Sequence, residues 1–182
     1  MNQLISLKLK KNEAPSEELL LNTLGVEFIS KSSNDRITSL PEHLKKVIFN
    51  IVDFNFQKEI LINCHNLEYL RITCANCPLL ELPVLSQLKT LIVSKSKIND
   101  LDKSVYTLEK LEVLDLSGNQ LTELFPVAHL PNLRRINLDG NKLEALPEWI
   151  YELENLNHLS LDENPLTDFT KQKLYDRFKI VF

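Results

Sequence analysis

The sequence predicts an α/β solenoid of about eight coils, in which short parallel strands line one face and short helices or irregular turns line the other. Three observations lead to this prediction. A skeleton of three leucines and one asparagine recurs along the chain, its copies are 18 to 23 residues apart, and the residues in the middle of each copy alternate between apolar and polar. No single coil can bury its apolar residues alone, so stacked coils must share one core.

The skeleton has apolar residues at positions 1, 4, 6 and 11 and asparagine at position 9, as in LEVLDLSGNQL from Leu111. Eight copies can be placed, starting near Leu4, Val26, Leu44, Leu67, Leu88, Leu111, Leu133 and Leu156. The copy at Val26 is poor, because Lys31 falls on an apolar position. Positions 3 to 5 are expected to form a strand in which position 4 points inward while positions 3 and 5 point out.

This pattern resembles the leucine-rich repeat family over nearly the whole chain, with the closest copies at Leu4, Leu111, Leu133 and Leu156. The resemblance implies a right-handed solenoid with its parallel sheet on the concave face, and one repeat domain spanning residues 1–182. The short 18-residue step before Leu44 is similar to the compact repeats of bacterial members. A bacterial source is therefore expected.

The outer segment of each coil is expected to be helix-like where apolar residues stand three and four apart. Two such triplets are Leu101, Val105, Leu108 and Leu146, Ile150, Leu153. The asparagines at position 9 are expected to form a structural ladder, because a buried amide must bond the backbone of adjoining turns. The ladder residues are Asn12, Asn119, Asn141 and Asn164. Val52, Ala75 and Ser96 interrupt it, so irregular turns are expected between residues 52 and 96.

Both ends of the solenoid expose apolar residues unless a cap covers them. Residues 167–182 predict a C-terminal cap of a helix and a strand, with Thr167 or Asp168 as the helix N-cap and Leu174 and Phe178 facing the core. The N-terminal coil shows no cap of its own. Either the segment PSEELLLN folds over this coil, or the coil is an additional docking face.

Composition narrows the functional classes. The net charge of -4 argues against nucleic acid as a partner, because affinity for phosphates requires an excess of Lys and Arg. No apolar run approaches the roughly 18 residues of a membrane span, and the N-terminus lacks a secretion signal. The expected location is the cytoplasm, or a host cell if the protein is a delivered effector.

Three cysteines offer an alternative reading as a zinc or redox protein, since Cys74 and Cys77 form a C-x-x-C pair near Cys64. The repeat register favours another role, because Cys64 and Cys77 stand where other copies carry core leucines. No phosphate loop, zinc-protease motif or serine-hydrolase motif occurs. The sequence therefore predicts neither an enzyme nor a cofactor nor a metal site.

The register also predicts which residues face outward from the sheet, where they are free to bind a protein partner. Tyr and Arg among them are frequent hot-spot residues, and the carboxylates would attract a basic segment. The predicted partner-binding residues are Lys46, Ile48, Tyr69, Arg71, Ile92, Val113, Asp115, Arg135, Asn137, Asp139, His158 and Asp162. Trp149 lies on the outer surface, where it either packs on the helix ridge or anchors a second interface. The predicted function is protein binding on the concave sheet, by a free-standing module or by the recognition part of a larger bacterial effector or signalling assembly.

Overall fold

Eight parallel strands form a single sheet along one side of the molecule. The computed structural model describes residues 4–10, 14–31, 37–126 and 128–181, without the side chains of Cys74 and Ala75. The strands of this sheet, in spatial order, are β1 (Leu4–Lys8), β2 (Gly25–Ser30), β3 (Lys46–Phe54), β4 (Tyr69–Ala75), β6 (Thr90–Ser94), β8 (Val113–Asp115), β9 (Arg135–Asn137) and β10 (His158–Ser160). The fold class is confirmed as an α/β leucine-rich repeat solenoid.

Short helices and turns connect consecutive strands on the convex side. They comprise α1 (Glu17–Leu21), α2 (Glu148–Glu152) and the 3₁₀ helices Lys58–Leu61 and Lys103–Thr107. β5 (Leu79–Leu80) and β7 (Asp100–Leu101) pair as a separate small parallel sheet. Leu101, Val105, Leu108, Leu146 and Ile150 are buried and Leu153 is partly buried, so both predicted triplets face the core.

The sheet register aligns equivalent positions of successive repeats. From Leu44 onward, each strand of the large sheet begins at the third position of its repeat, and these residues are in register across the sheet: Lys46, Tyr69, Thr90, Val113, Arg135 and His158. The fourth-position residues that follow them are buried from Val47 to Ile136, and the last one, Leu159, is partly buried. The sheet surface therefore repeats every 21 to 23 residues of sequence.

The first two repeats are displaced from the expected register. Leu4 pairs with Gly25, and Gly25 pairs with Lys46, so Leu4 stands at the third position and Val26 at the fourth. Phe28 rather than Lys31 then occupies the sixth position, and it is fully buried. The same shift moves the ninth position of the first copy from Asn12 to residue 10, and Asn12 itself lies outside the described residues.

The N-terminal coil carries its outer helix in the usual place. Helix α1 connects β1 to β2, and it buries Leu20 in the core. The His43 imidazole Nε2 lies 3.1 Å from the Leu20 carbonyl oxygen, which ties α1 to the next coil. Strand β1 ends the sheet, and no residue of β1 is buried. The segment PSEELLLN therefore belongs to the coil and does not cover β1.

A cluster of phenylalanines fills the core where the repeats are irregular. The ring of Phe49 lies 5.4 Å from that of Phe28, 5.0 Å from Phe54 and 6.0 Å from Phe56, measured between centroids. Beside this cluster β3 runs for nine residues, and its pairing with β4 shifts between Asn50 and Phe54. Large rings thus replace leucines where the asparagine ladder is missing, and the turn widens to hold them.

Three asparagines bond the backbone of adjacent coils in the C-terminal half. Asn119 accepts hydrogen bonds from the Ser96 and Ile98 amides at 3.0 and 3.2 Å, and it donates to the Val93 and Leu116 carbonyls at 2.7 and 2.8 Å. Asn141 and Asn164 repeat this arrangement on the next two coils. Buried amide groups are thereby satisfied.

Helix α3 (Asp168–Phe178) lies at the C-terminal end of the solenoid. The Thr167 hydroxyl accepts a hydrogen bond from the Thr170 amide, so Thr167 is the N-cap. Leu174 is fully buried and Phe178 packs partly against the core. Residues 179–181 are irregular rather than extended into the expected strand. Lys179 at the helix end has a left-handed backbone with φ 60°, which turns the chain away from the helix.

Candidate functional site

The outward-facing side of the large sheet is the candidate site. Alternation along each strand turns positions 3, 5 and 7 of every repeat away from the core. We call the outward residues at these positions and at position 8, from β3 to the turn after β10, the concave surface. Among the described side chains at these positions, Ile48 and Ile51 are buried, and the others are at least partly exposed and available for other contacts.

Eleven of the twelve predicted binding residues are exposed or partly exposed on this surface. The fully exposed ones are Arg71, Arg135, His158 and Asp162. Ile48 contradicts the prediction, because only 6% of its surface is accessible. Its partners in the sheet are Glu27 and Arg71, whose longer side chains flank it on both sides. Ile48 therefore supports its neighbours rather than offering contact area.

The N-terminal part of the concave surface combines an aromatic ring with two cationic groups. The Lys46 ammonium lies 4.6 Å from the centroid of the Tyr69 ring, a distance typical of a cation–π contact. Tyr69 is thereby held across neighbouring strands. Arg71 lies two residues further along β4 and is exposed. This part can offer stacking area and a cationic hydrogen-bond donor to a partner.

A shallow depression of about 310 Å³ lies on the concave surface across β8, β9 and β10. Five predicted binding residues line it: Val113, Asp115, Arg135, Asn137 and His158. Ile92, on β6, is partly exposed and pairs with Arg71 on one side and Asp115 on the other. From β6 to β9, the outward side chains therefore change from the apolar Ile92 and Val113 to the polar Arg135 and Asn137.

The carboxylates of the C-terminal part organise the turns that follow the strands. Asp115 accepts a hydrogen bond from the Ser117 amide at 3.0 Å, and Asp139 accepts one from the Asp162 amide at 2.8 Å. Asn137 accepts from the Asp139 amide in the same way. Each carboxylate uses one oxygen in these bonds, so the second oxygen of Asp115 and of Asp139 stays available. We call Asp139, Asp162 and Glu163 the acidic edge of the concave surface. The Asp139 carboxylate in this edge is held in position by the backbone amide of Asp162.

An ion-pair row runs beside the concave surface. The Glu68 carboxylate lies 3.2 Å from the Lys45 ammonium and 2.8 Å from that of Lys89, which links three successive coils. Hydrogen bonds from Lys89 and Lys45 lower the pKa of the Glu68 carboxyl. These side chains are exposed, so the row contributes little to stability. The charges of this row are paired, whereas none of the ion pairs found among the described residues includes a charged side chain of the concave surface.

The shift in register adds two residues that the sequence prediction missed. Glu27 pairs with Ile48, and Ser6 pairs with Glu27, so both stand at the fifth position. The Ser6 hydroxyl donates a 2.8 Å hydrogen bond to the Glu27 carboxylate. Placing the second repeat start at Thr23 rather than Val26 makes the neighbouring interval 21 residues instead of 18. This more regular spacing of the repeat starts could have indicated the correct register from the sequence.

Two of the three cysteines are core residues. Cys64 and Cys77 are buried free thiols, and burial raises the pKa of each to about 11. A thiol protonated at neutral pH is a poor nucleophile and a poor metal ligand. No group of three or more potential metal ligands occurs among the described residues. The Cys74 side chain lies outside the description.

Trp149 packs against the convex ridge. It is buried, its indole nitrogen donates a 3.0 Å hydrogen bond to the Phe125 carbonyl, and its ring meets Tyr106 edge-on. The Tyr106 hydroxyl accepts a bond from the Phe125 amide, and burial raises the pKa of Tyr106 to about 12. Trp149 thus leaves little area for a second interface. None of the helices described is long and apolar enough to cross a membrane.

Comparison with known proteins gives a consistent picture of the fold. The family model described as "Leucine rich repeat" matches residues 86–143 and 127–166. A leucine-rich repeat protein of Leptospira interrogans has a solved structure that superposes with a TM-score of 0.63 at 25% identity, over 96% of this chain and 58% of that one. An internalin of Listeria monocytogenes superposes with a TM-score of 0.66 at 23% identity, over 94% of this chain and 57% of that one.

One curated protein also shares sequence with this chain. Tubulin-specific chaperone E of Danio rerio is 36% identical over 58 residues, which is 31% of this chain and 11% of the chaperone. The chain thus spans a small part of this relative and less than two thirds of both solved structures. The comparisons therefore bear on the repeats and not on the activity of any whole protein.

Proposed function

Because this chain belongs to the leucine-rich repeat family, we propose that it is a binding module that recognises a protein partner on its concave surface without catalysis. Leucine-rich repeat folds generally mediate protein–protein interaction. The observation that supports the concave surface is the group formed by Tyr69, Arg71 and Ile92. An aromatic ring, a guanidinium and an aliphatic side chain adjoin one another there, and none of them is required inside the core.

The chemistry of this group fits a protein better than other ligand classes. Tyr and Arg are enriched at binding hot spots because each combines a large contact area with a polar tip. Nucleic acid is a poor fit, since the protein is acidic overall and the concave surface carries an acidic edge. A metal or redox role for the cysteines has little support, since Cys64 and Cys77 are protonated in the core.

Replacing Tyr69, Arg71 and Ile92 together with alanine is expected to weaken partner binding at least about tenfold, because hot-spot side chains each contribute more than about 1 kcal/mol. The free energy of unfolding should change by less than about 2 kcal/mol, because all three side chains are at least partly exposed. Isothermal titration calorimetry with the partner, once it is identified, measures the affinity, and urea unfolding measures the free energy of unfolding.

A matched variant carries alanine at Lys103, Glu109 and Glu152, three exposed residues away from the sheet. It should bind like the native protein. If the concave variant binds normally while the matched variant loses binding, the partner uses the convex side and the proposal is wrong. A concave variant that unfolds in the absence of urea would be replaced by the single Arg71→Ala variant, which removes a fully exposed side chain.

A second candidate role is the recognition part of a larger effector or signalling assembly. The observation that favours this role is β1, which ends the sheet with Leu4 38% exposed. An open strand edge can pair with another strand. A bacterial source is supported by the two solved structures, and a cytoplasmic location is supported by the two buried free thiols.

A further inference from the structure

Opposite charges stand at the two ends of the concave surface. Arg71 lies toward the N-terminal end, and Asp139, Asp162 and Glu163 lie along the C-terminal edge. The ion pairs found among the described residues involve none of these four side chains. These four charges therefore remain available to a partner, and they make the surface electrically polar from one end to the other.

Apolar area separates the two charged ends. Ile92 lies one strand beyond Arg71, and Val113 lies on the next strand at the wall of the depression. Arg135 and His158 stand at the third position of β9 and β10, and the acidic edge begins at the seventh. The two rows are four residues apart along the chain, which is at most about 13 Å. A basic group at the acidic edge would therefore lie away from both Arg135 and His158.

The sheet geometry sets a length for whatever bridges the charged ends. Neighbouring strands are about 4.7–4.9 Å apart. Asp139 follows β9 and Asp162 follows β10, which are three and four strands from β4. The distance from Arg71 across the strands is therefore about 14 to 20 Å. An extended chain advances about 3.3 Å per residue, so about four to six residues cover this distance.

We propose that the concave surface takes an extended segment of a partner protein with ordered charges, a refinement that rests on the proposed function. An acidic residue of the segment pairs with Arg71, an apolar residue covers Ile92 and enters the depression beside Val113, and basic residues pair with the acidic edge. The acidic and basic residues of the segment are about four to six positions apart. Either chain direction satisfies this geometry.

The test is selection of a displayed library of random twelve-residue peptides on the native protein. Enriched peptides are expected to carry an acidic residue, an apolar residue and then a basic residue with the stated separation. A selected peptide should bind the Arg71→Glu variant at least tenfold more weakly. Changing the acidic residue of that peptide to lysine should restore binding to Arg71→Glu, because the charge pair is then re-formed with opposite signs.

A second variant, Asp139→Lys with Asp162→Lys, examines the other end in the same way, and a peptide with glutamate in place of its basic residues should restore binding to it. Enriched peptides without ordered charges would overturn the inference, as would the absence of any enriched peptide or a failure of both restorations. If enriched peptides without ordered charges bind the Tyr69, Arg71 and Ile92 triple-alanine variant more weakly than the native protein, the proposed function stands. If they bind this variant normally, the proposed function fails as well.

Discussion

Replacing Phe49 with alanine is expected to lower the free energy of unfolding by about 3–5 kcal/mol, the range for a large aromatic removed from a core. Phe49 is fully buried, and its ring contacts those of Phe28, Phe54 and Phe56. Alanine would leave a cavity bordered by three rigid rings, which cannot collapse without moving two strands and a turn. Urea unfolding followed by circular dichroism measures the change.

The matched control is Phe169→Ala at the outside of α3, where the ring is 79% exposed. This change should alter the free energy of unfolding by less than about 0.5 kcal/mol. A Phe49→Ala variant as stable as Phe169→Ala would mean that the phenylalanine cluster does not hold the irregular coils together. The packing described for residues 28 to 56 would then be wrong.

Asn119→Leu is expected to lower the free energy of unfolding by at least about 3 kcal/mol, because leucine has the same number of side-chain heavy atoms but can bond none of the backbone groups that Asn119 bonds. The Ser96 and Ile98 amides and the Val93 carbonyl would lose this partner at about 1–3 kcal/mol each, while the Leu116 carbonyl keeps its hydrogen bond from Asn141. The loss separates two adjoining coils, so hydrogen exchange of the Ser96 and Ile98 amides should accelerate as well. Exchange measured by mass spectrometry reports that local effect.

The exposed Asn99, in the adjoining coil that starts at Leu88, provides the control through Asn99→Leu. It should leave both the stability and the exchange of those amides nearly unchanged. If Asn119→Leu unfolded at the same urea concentration as Asn99→Leu, the ninth-position asparagine would be replaceable by any residue of its size. The asparagine hydrogen bonds would then be a consequence of the fold and would not stabilise it.

The fold was predictable from the sequence because leucine spacing records which residues must point inward. From Leu44 onward the spacing alone leads to the strand positions that the structure shows. It failed at Leu4 and Val26, where the segment GVEFIS has apolar residues at Val26, Phe28 and Ile29 and so allows more than one register. Sheet pairing with β3 selects the register that buries Val26 and Phe28.

The candidate site was predictable in outline, because alternation along a strand determines which side chains face outward. Burial of Ile48 was not predictable, since it depends on the long neighbours that the sheet places on either side. The displaced register also concealed Glu27. Charge ordering along the concave surface requires the sheet topology, because Arg71 and Asp162 are far apart in sequence and only four strands apart in space.

Photo-crosslinking from the concave surface tests most directly whether a protein partner binds there. A benzoylphenylalanine replaces Ile92 in one variant and Lys103, on the convex 3₁₀ helix, in a matched one. Both proteins are irradiated in lysate of the source organism. We expect a discrete crosslinked partner from position 92 alone, and excess native protein should abolish this crosslink. The same partner crosslinked from position 103 alone would place binding on the convex side and contradict the account.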